Sequence, residues 1–86
     1  MKIEGNGPIR LVTDNAGTIR GLWVERLEHA QFDNDFHHPR LRMFLACEAA
    51  QGRSVPVEAY AAVAQGQFRV QENAPSSGGG YLLIFT

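Results

Sequence analysis

Two runs of strand-forming residues, separated by Asp14-Asn15-Ala16-Gly17, constrain this chain more than any other feature. Ile9 to Asp14 and Thr18 to about Glu28 are rich in Ile, Val, Leu, Trp and Thr, residues that fit a pleated, half-buried surface. Asp at position i and Gly at i+3 suit a type I turn with Gly17 left-handed, a three-residue hairpin loop closed by a bulge. That loop pairs Asp14 with Thr18, Val12 with Arg20 and Ile9 with Trp23. Ile9, Leu11, Ile19 and Trp23 then share one face. Arg10, Val12, Arg20, Leu22, Val24 and Arg26 share the other. A loop one residue shorter sets Leu11 beside Arg20 and separates polar from apolar less well, so the first register is expected.

The rest of the chain completes a mixed pattern. Gly5-Asn6-Gly7-Pro8 signals a turn, and Lys2 to Glu4 is a candidate extra strand. Residues 28–38 carry no period and read as a loop. Pro39 suits a first helical position. Leu41, Phe44, Leu45, Glu48 and Ala49 then recur at helical spacing, and Met43, Ala46, Cys47 and Ala50 widen the apolar arc. Gly52 fits just past that helix. A shorter helix opens at Ser54 to Val57 and ends at Gly66, with Val57, Tyr60, Ala61 and Ala64 on one face. Gln67 to Glu72 alternates as a half-buried strand with Phe68 and Val70 facing in, and Asn73 to Gly80 is a loop of Pro, Ser and Gly. Tyr81 to Thr86 is apolar on both faces, the mark of a central or doubly covered strand. The expected fold is α+β: an antiparallel sheet of four to five strands, two helices on one face, order β-β-α-α-β-β.

The 86 residues suit one compact domain, with no visible repeat or linker. One cysteine, Cys47, makes no intrachain disulfide, and without a CxxC pair there is no thiolate zinc or dithiol redox motif. The first residues lack an apolar run of signal-peptide length, and no stretch of about 20 apolar residues spans a membrane. A cytoplasmic location follows as the expectation. Eight basic and nine acidic groups leave a net charge of −1, which argues against a strongly basic nucleic-acid module.

Several features invite chemistry, each with a plainer structural account. His29, Asp33, Asp35, His37 and His38 are metal-ligand types within ten residues. No His-x3-His helix pair is among them, and Asp33-Asn34-Asp35 lacks the Gly and distal Glu of a calcium loop. A solvated loop whose aspartates cap the next helix is preferred, and no metal or other cofactor is assigned. Arg40 and Arg42 open a helix against its dipole, at roughly 0.3–1 kcal/mol per exposed charge. Asp33 and Asp35 neutralise them locally, or an external anion does. Arg10, Arg20 and Arg26 share a predicted sheet face too poor in aromatics for a base-stacking platform, so that face is solvated or meets a protein. The glycine runs lead into strands rather than a helix N-terminus, so they are turns and not phosphate cradles. Cys47 in an Ala-rich helix reads as a small buried residue. No paired carboxylates stand in a setting that would hold one of them protonated, and Ser54, Ser76 and Ser77 have no nucleophile-elbow context.

Residues 3–21, IEGNGPIRLVTDNAGTIRG, resemble a strand-turn-strand stretch in the N-terminal domain of the redox-switched bacterial holdase chaperones. The likeness covers under a quarter of the chain and stops at Leu22. The zinc-binding cysteines of that family have no counterpart beyond Cys47, so the resemblance implies a shared hairpin and no redox activity.

The expectation is a small non-catalytic module that binds another protein, a second copy of itself included: a regulator, inhibitor or subunit. Its partner-binding residues are expected to be Arg10, Arg20, Trp23, Arg26, Arg40 and Arg42. The apolar last strand is a further pairing edge if it is not central. The alternative is a metal- or anion-dependent small enzyme or ligand-binding domain centred on residues 29–42.

Overall fold

The turn at Asp14 forms as its residues dictate. In the computed structural model, which describes residues 1–30, 38–72 and 79–86, Asp14 Oδ1 accepts the backbone N–H groups of Ala16 (2.9 Å) and Thr18 (3.0 Å). Gly17 donates its N–H to the Asp14 carbonyl at 3.0 Å and takes φ +83°, a left-handed value that glycine adopts at no steric cost. The Thr18 N–H, above all, and the Arg20 guanidinium 2.9 Å away hold the Asp14 carboxyl below its usual range.

Strands β2 (Ile9–Thr13) and β3 (Ile19–Val24) leave this turn antiparallel. Strand β1 (Lys2–Glu4) pairs with β2, so the candidate extra strand is real. After β3 comes a short 3-10 helix, Leu27–Ala30, where extended chain was expected to about Glu28. Helices α1 (Pro39–Ala50) and α2 (Val57–Gln65) follow, then β4 (Phe68–Glu72) and β5 (Tyr81–Phe85). The sheet is fully antiparallel, in the order β1-β2-β3-β5-β4. This is the α+β architecture the sequence predicts, with a fifth strand. No helix among the described residues is long and apolar enough to cross a membrane.

The hairpin register departs from expectation in an instructive way. Next to the turn Thr13 faces Ile19, as predicted, but one residue on Val12 faces Gly21 rather than Arg20. Arg20 is therefore an extra residue, a β-bulge, and it shifts the remaining pairs to Arg10–Trp23 and Ile9–Val24. The bulge sends Leu22 and Val24 to the same face as Leu11 and Ile19, where all four are buried. It sends Trp23 to the opposite face with Arg10 and Val12. The faces assigned from the turn alone are thus wrong beyond Arg20. The reason is energetic: without a bulge Leu22 and Val24 would face away from the helices, and the indole would have to fit beneath them.

Leu11, Leu22, Val24 and Leu83 pack beneath Leu41 and Leu45 of α1 and Ala59 and Val63 of α2. In α2 the buried residues are Ala59, Ala62 and Val63, while Val57 is 78% exposed and Tyr60 40%. The expected face of this helix is the solvent face. Both arcs are apolar, so periodicity does not choose between them, and the arc without the bulky Tyr60 is the one that packs on the sheet. Cys47 is exposed for a related reason: Leu41 and Leu45 turn inward, and position 47 falls on the outer side. Phe68 and Val70 do share the helix side of β4, but Val70 is 56% exposed because β4 is an edge strand.

The face away from the helices has its own apolar cluster of Val12, Trp23 and Ile84, flanked by Ile3 and Leu82. Trp23 is 5% exposed and its Nε1–H donates to the Gly79 carbonyl at 3.0 Å. The Arg10 guanidinium carbon lies 4.4 Å from the ring centroid, a cation–π contact, while Arg10 Nε donates to the Gly7 carbonyl at 3.0 Å. Gly80 crosses the indole at φ +80°, and a Cβ there would lie 2.5 Å from the ring. A Cβ on Gly21 would collide with the Leu83 carbonyl oxygen in the neighbouring strand. Gly21 lets β5 approach β3, and Gly80 lets the residues entering β5 close on Trp23.

On the helix side, Thr13 Oγ1 donates to Glu4 Oε2 at 2.7 Å, and Arg53 reaches Glu4 (3.5 Å) and Glu48 (3.8 Å). This links β1 to the end of α1. Chiefly through the Thr13 bond, it keeps the Glu4 carboxyl below its ordinary value.

Trp23→Ala is expected to lower stability by about 3–5 kcal/mol, the range for truncating a large buried aromatic side chain. Urea unfolding followed by circular dichroism measures it, and a cost below about 0.5 kcal/mol would identify Trp23 as a surface group.

Candidate protein-binding surface

The residues singled out from the sequence divide into three groups. Arg10 and Trp23 satisfy each other on the open sheet face. Arg20 is committed to Asp14 in the turn, and Arg26 lies 3.5 Å from Glu28. Arg40 and Arg42 are exposed and make no ion pair among the described residues. Four of the six partner-binding candidates are thus engaged within the chain, and the bulge removes Leu22 and Val24 from the face on which Arg10, Arg20 and Arg26 were expected.

The first turn of α1 carries no acidic residue, and its N-cap, His38, makes no side-chain capping bond. Pro39 at the first helical position supplies the helical φ and lacks an N–H. Arg40 and Arg42 thus place positive charge beside the positive end of the helix dipole without a local carboxylate among the described residues. Asp33 and Asp35, expected to neutralise them, lie outside the described residues, as does His37.

Arg40 lines an open groove of about 500 Å³ with Pro8, Ile9, His29, Pro39 and Met43. Pro8 and Ile9 come from the start of β2, where the Pro8 carbonyl accepts the Glu25 N–H at 2.8 Å. His29 is held by its own turn: Nδ1 accepts the Arg26 N–H at 3.2 Å, so the neutral ring carries its proton on Nε2. Met43 is 67% exposed and lies one helical turn from Arg40. Its lining is mostly apolar, from Pro8, Ile9, Pro39 and Met43, with Arg40 contributing a positive charge. Sequence reasoning selected Arg40 and His29 but missed Met43, Pro8 and Ile9. The available signal was the i, i+3 spacing of Arg40 and Met43 on one helix face.

His38 stands elsewhere. It is 5% exposed, its Nδ1 hydrogen-bonds the Ala30 carbonyl, and its ring meets Phe68 edge-on at 5.4 Å. It lines a smaller cavity of about 200 Å³ with Leu27, Ala30, Phe68, Val70 and Leu83. The expectation of a solvated loop histidine is corrected here: the residue before Pro39 is carried into the core with the start of α1. Among the described residues no group of three or more His, Cys, Asp or Glu side chains could hold a metal ion. The chain matches no protein-family model, no curated protein and no solved structure.

Burial pushes the His38 imidazole below its ordinary value of 6.5, against the opposing pull of the Ala30 hydrogen bond. The neutral ring is therefore the form that stabilises the fold. Its contribution is complete above the unfolded value and is lost as pH falls from 6.5 through the lower folded value. The melting temperature is expected to decline over that window, and His38→Phe should flatten the decline. An equally steep decline in the variant would show that other groups cause it.

Proposed function

We propose that this chain is a small non-catalytic protein-binding module. Its docking groove lies between the start of β2 and the first turn of α1. The observation that carries the reading is the pairing of an exposed apolar groove with two exposed arginines, at a helix start whose first turn holds no acidic residue, that make no ion pair among the described residues. An exposed Met beside Pro and Ile suits an apolar anchor side chain, and methionine adapts to irregular partners. Arg40 and Arg42 favour carboxylates on that partner, since Arg binds a carboxylate through two parallel N–H groups. The occupant is accordingly a segment of another protein presenting an apolar side chain flanked by Asp or Glu. A regulator, an inhibitor or a subunit of a larger assembly fits this description. The cytoplasm is the compartment we assign, where the exposed Cys47 thiol stays reduced.

Selection of a peptide-display library on the purified chain tests the reading. The expected result is a family of sequences with one large apolar residue beside acidic residues. Met43→Glu and Arg40→Glu should each weaken the selected peptides by about 10-fold, the loss of one moderate hot spot, with circular dichroism unchanged. Failure to enrich any family, or sequences bound equally by both variants, would overturn it.

A further inference from the structure

A different surface, the free edge of the sheet, carries an inference independent of the groove. Strand β4 has β5 on one side and no strand on the other among the described residues. It spans five residues, Phe68–Glu72, in unbroken register with β5, and contains neither Pro nor bulge. The opposite edge, β1, is only three residues long, with charged Lys2 and Glu4 at its ends. Short, charged strands protect an edge, whereas a longer regular one exposes a ladder of unpaired N–H and C=O groups. The last strand, considered as a pairing edge from the sequence, is excluded from this role because β5 lies between β3 and β4.

The side chains of β4 favour its own copy. Register with β5 puts Phe68, Val70 and Glu72 on the helix side and Arg69 and Gln71 on the open side. An antiparallel two-fold centred on Val70 keeps like faces together. It sets Val70 against its copy, Arg69 against Gln71 and Phe68 against Glu72, so that no like charges face each other. Shifting the pairing by two positions in total would bring Arg69 against Arg69 or Gln71 against Gln71 and leave fewer pairs. Val70, 56% exposed, and Leu27, 49% exposed, border the cavity of about 200 Å³ beneath this edge. A second Val70 beside the first covers apolar surface that the single chain leaves wet.

We infer that the chain forms a two-fold dimer by antiparallel pairing of β4 with β4 of a second copy, centred on Val70, joining the two sheets into one. Such an isologous contact is closed and does not propagate into fibres.

Light scattering behind gel filtration, over a broad range of protein concentration, reads the mass. The expected mass is twice the 9.5 kDa of one chain. Val70→Lys places two ammonium groups on the axis and should weaken the dimer by about 10-fold or more while leaving circular dichroism unchanged. The register has its own test, which stands even if that variant is unstable. Residues facing each other in an antiparallel pair have Cα atoms about 4.5–5.5 Å apart, within disulfide reach. Val70→Cys in a Cys47→Ser background should therefore cross-link the dimer on mild oxidation. Arg69→Cys in the same background should not, since its copy lies diagonally at about 7–8 Å. A monomer at every concentration overturns the inference, as does a dimer untouched by Val70→Lys. A dimer that cross-links through Arg69→Cys and not through Val70→Cys also overturns it.

Discussion

One extra residue in β3 decides how this sheet is used. With Arg20 bulged out, Ile19 and Leu22 both point toward the helices although they are three positions apart. Without the bulge a strict period of two would turn Leu22 and Val24 away from α1 and α2. The bulge sits where it can be held. Arg20 is anchored to Asp14 at 2.9 Å, and the same carboxylate accepts the Ala16 and Thr18 N–H groups. The following residue, Gly21, has no Cβ to collide with the neighbouring strand. A local turn, an ion pair and a missing Cβ together fix which residues of β3 become core.

The same shift creates a demand on the far side. An indole on a sheet face without helices must be covered, or it leaves a large apolar patch in water. The chain covers it with its own backbone and one charged side chain. Gly79 accepts the indole N–H, Gly80 passes over the ring, and Arg10 lies above it from the paired position in β2. Trp23 is thereby satisfied from within, which is why an aromatic of the type favoured at interfaces is not exposed here. The contact also ties the residues entering β5 to the amino-terminal hairpin, more than fifty positions earlier.

The hairpin turn, the starts of both helices, the strand pair at the carboxyl end and the helices-on-sheet class were all legible in the sequence. Each rests on residues with a strong local reason: Asp14 and Gly17, Pro39, the alternation after Gln67, the apolar run from Tyr81. What was not legible came from tertiary choices. The turn specifies pairing only beside itself, so nothing local announces the extra residue at Arg20. In VEAYAAVAQ both helix faces are apolar, and only the fit against the sheet selects Ala59, Ala62 and Val63. Cys47 and Met43 belong to the outer arc of α1 for the same reason. The groove combines β2 with α1, elements some thirty positions apart, so only Arg40 and His29 were recognisable in advance.

The two proposed surfaces occupy different parts of the fold. The β2 wall of the groove lies three strand spacings from β4, or roughly 14 Å, while its His29 and Pro39 adjoin Ala30 and His38 of the cavity beneath the β4 edge. Pairing two β4 strands through their backbone edges would carry two such grooves in one assembly. A dimer of this kind is bivalent without any new contact to its partner. Two acidic, apolar-anchored segments on one target would bind it with an effective concentration set by the spacing of the grooves, and a single segment would not gain. Modest affinity at a groove with one apolar anchor and few arginines then becomes selective: it favours targets that carry the segment twice, or that are themselves symmetric dimers.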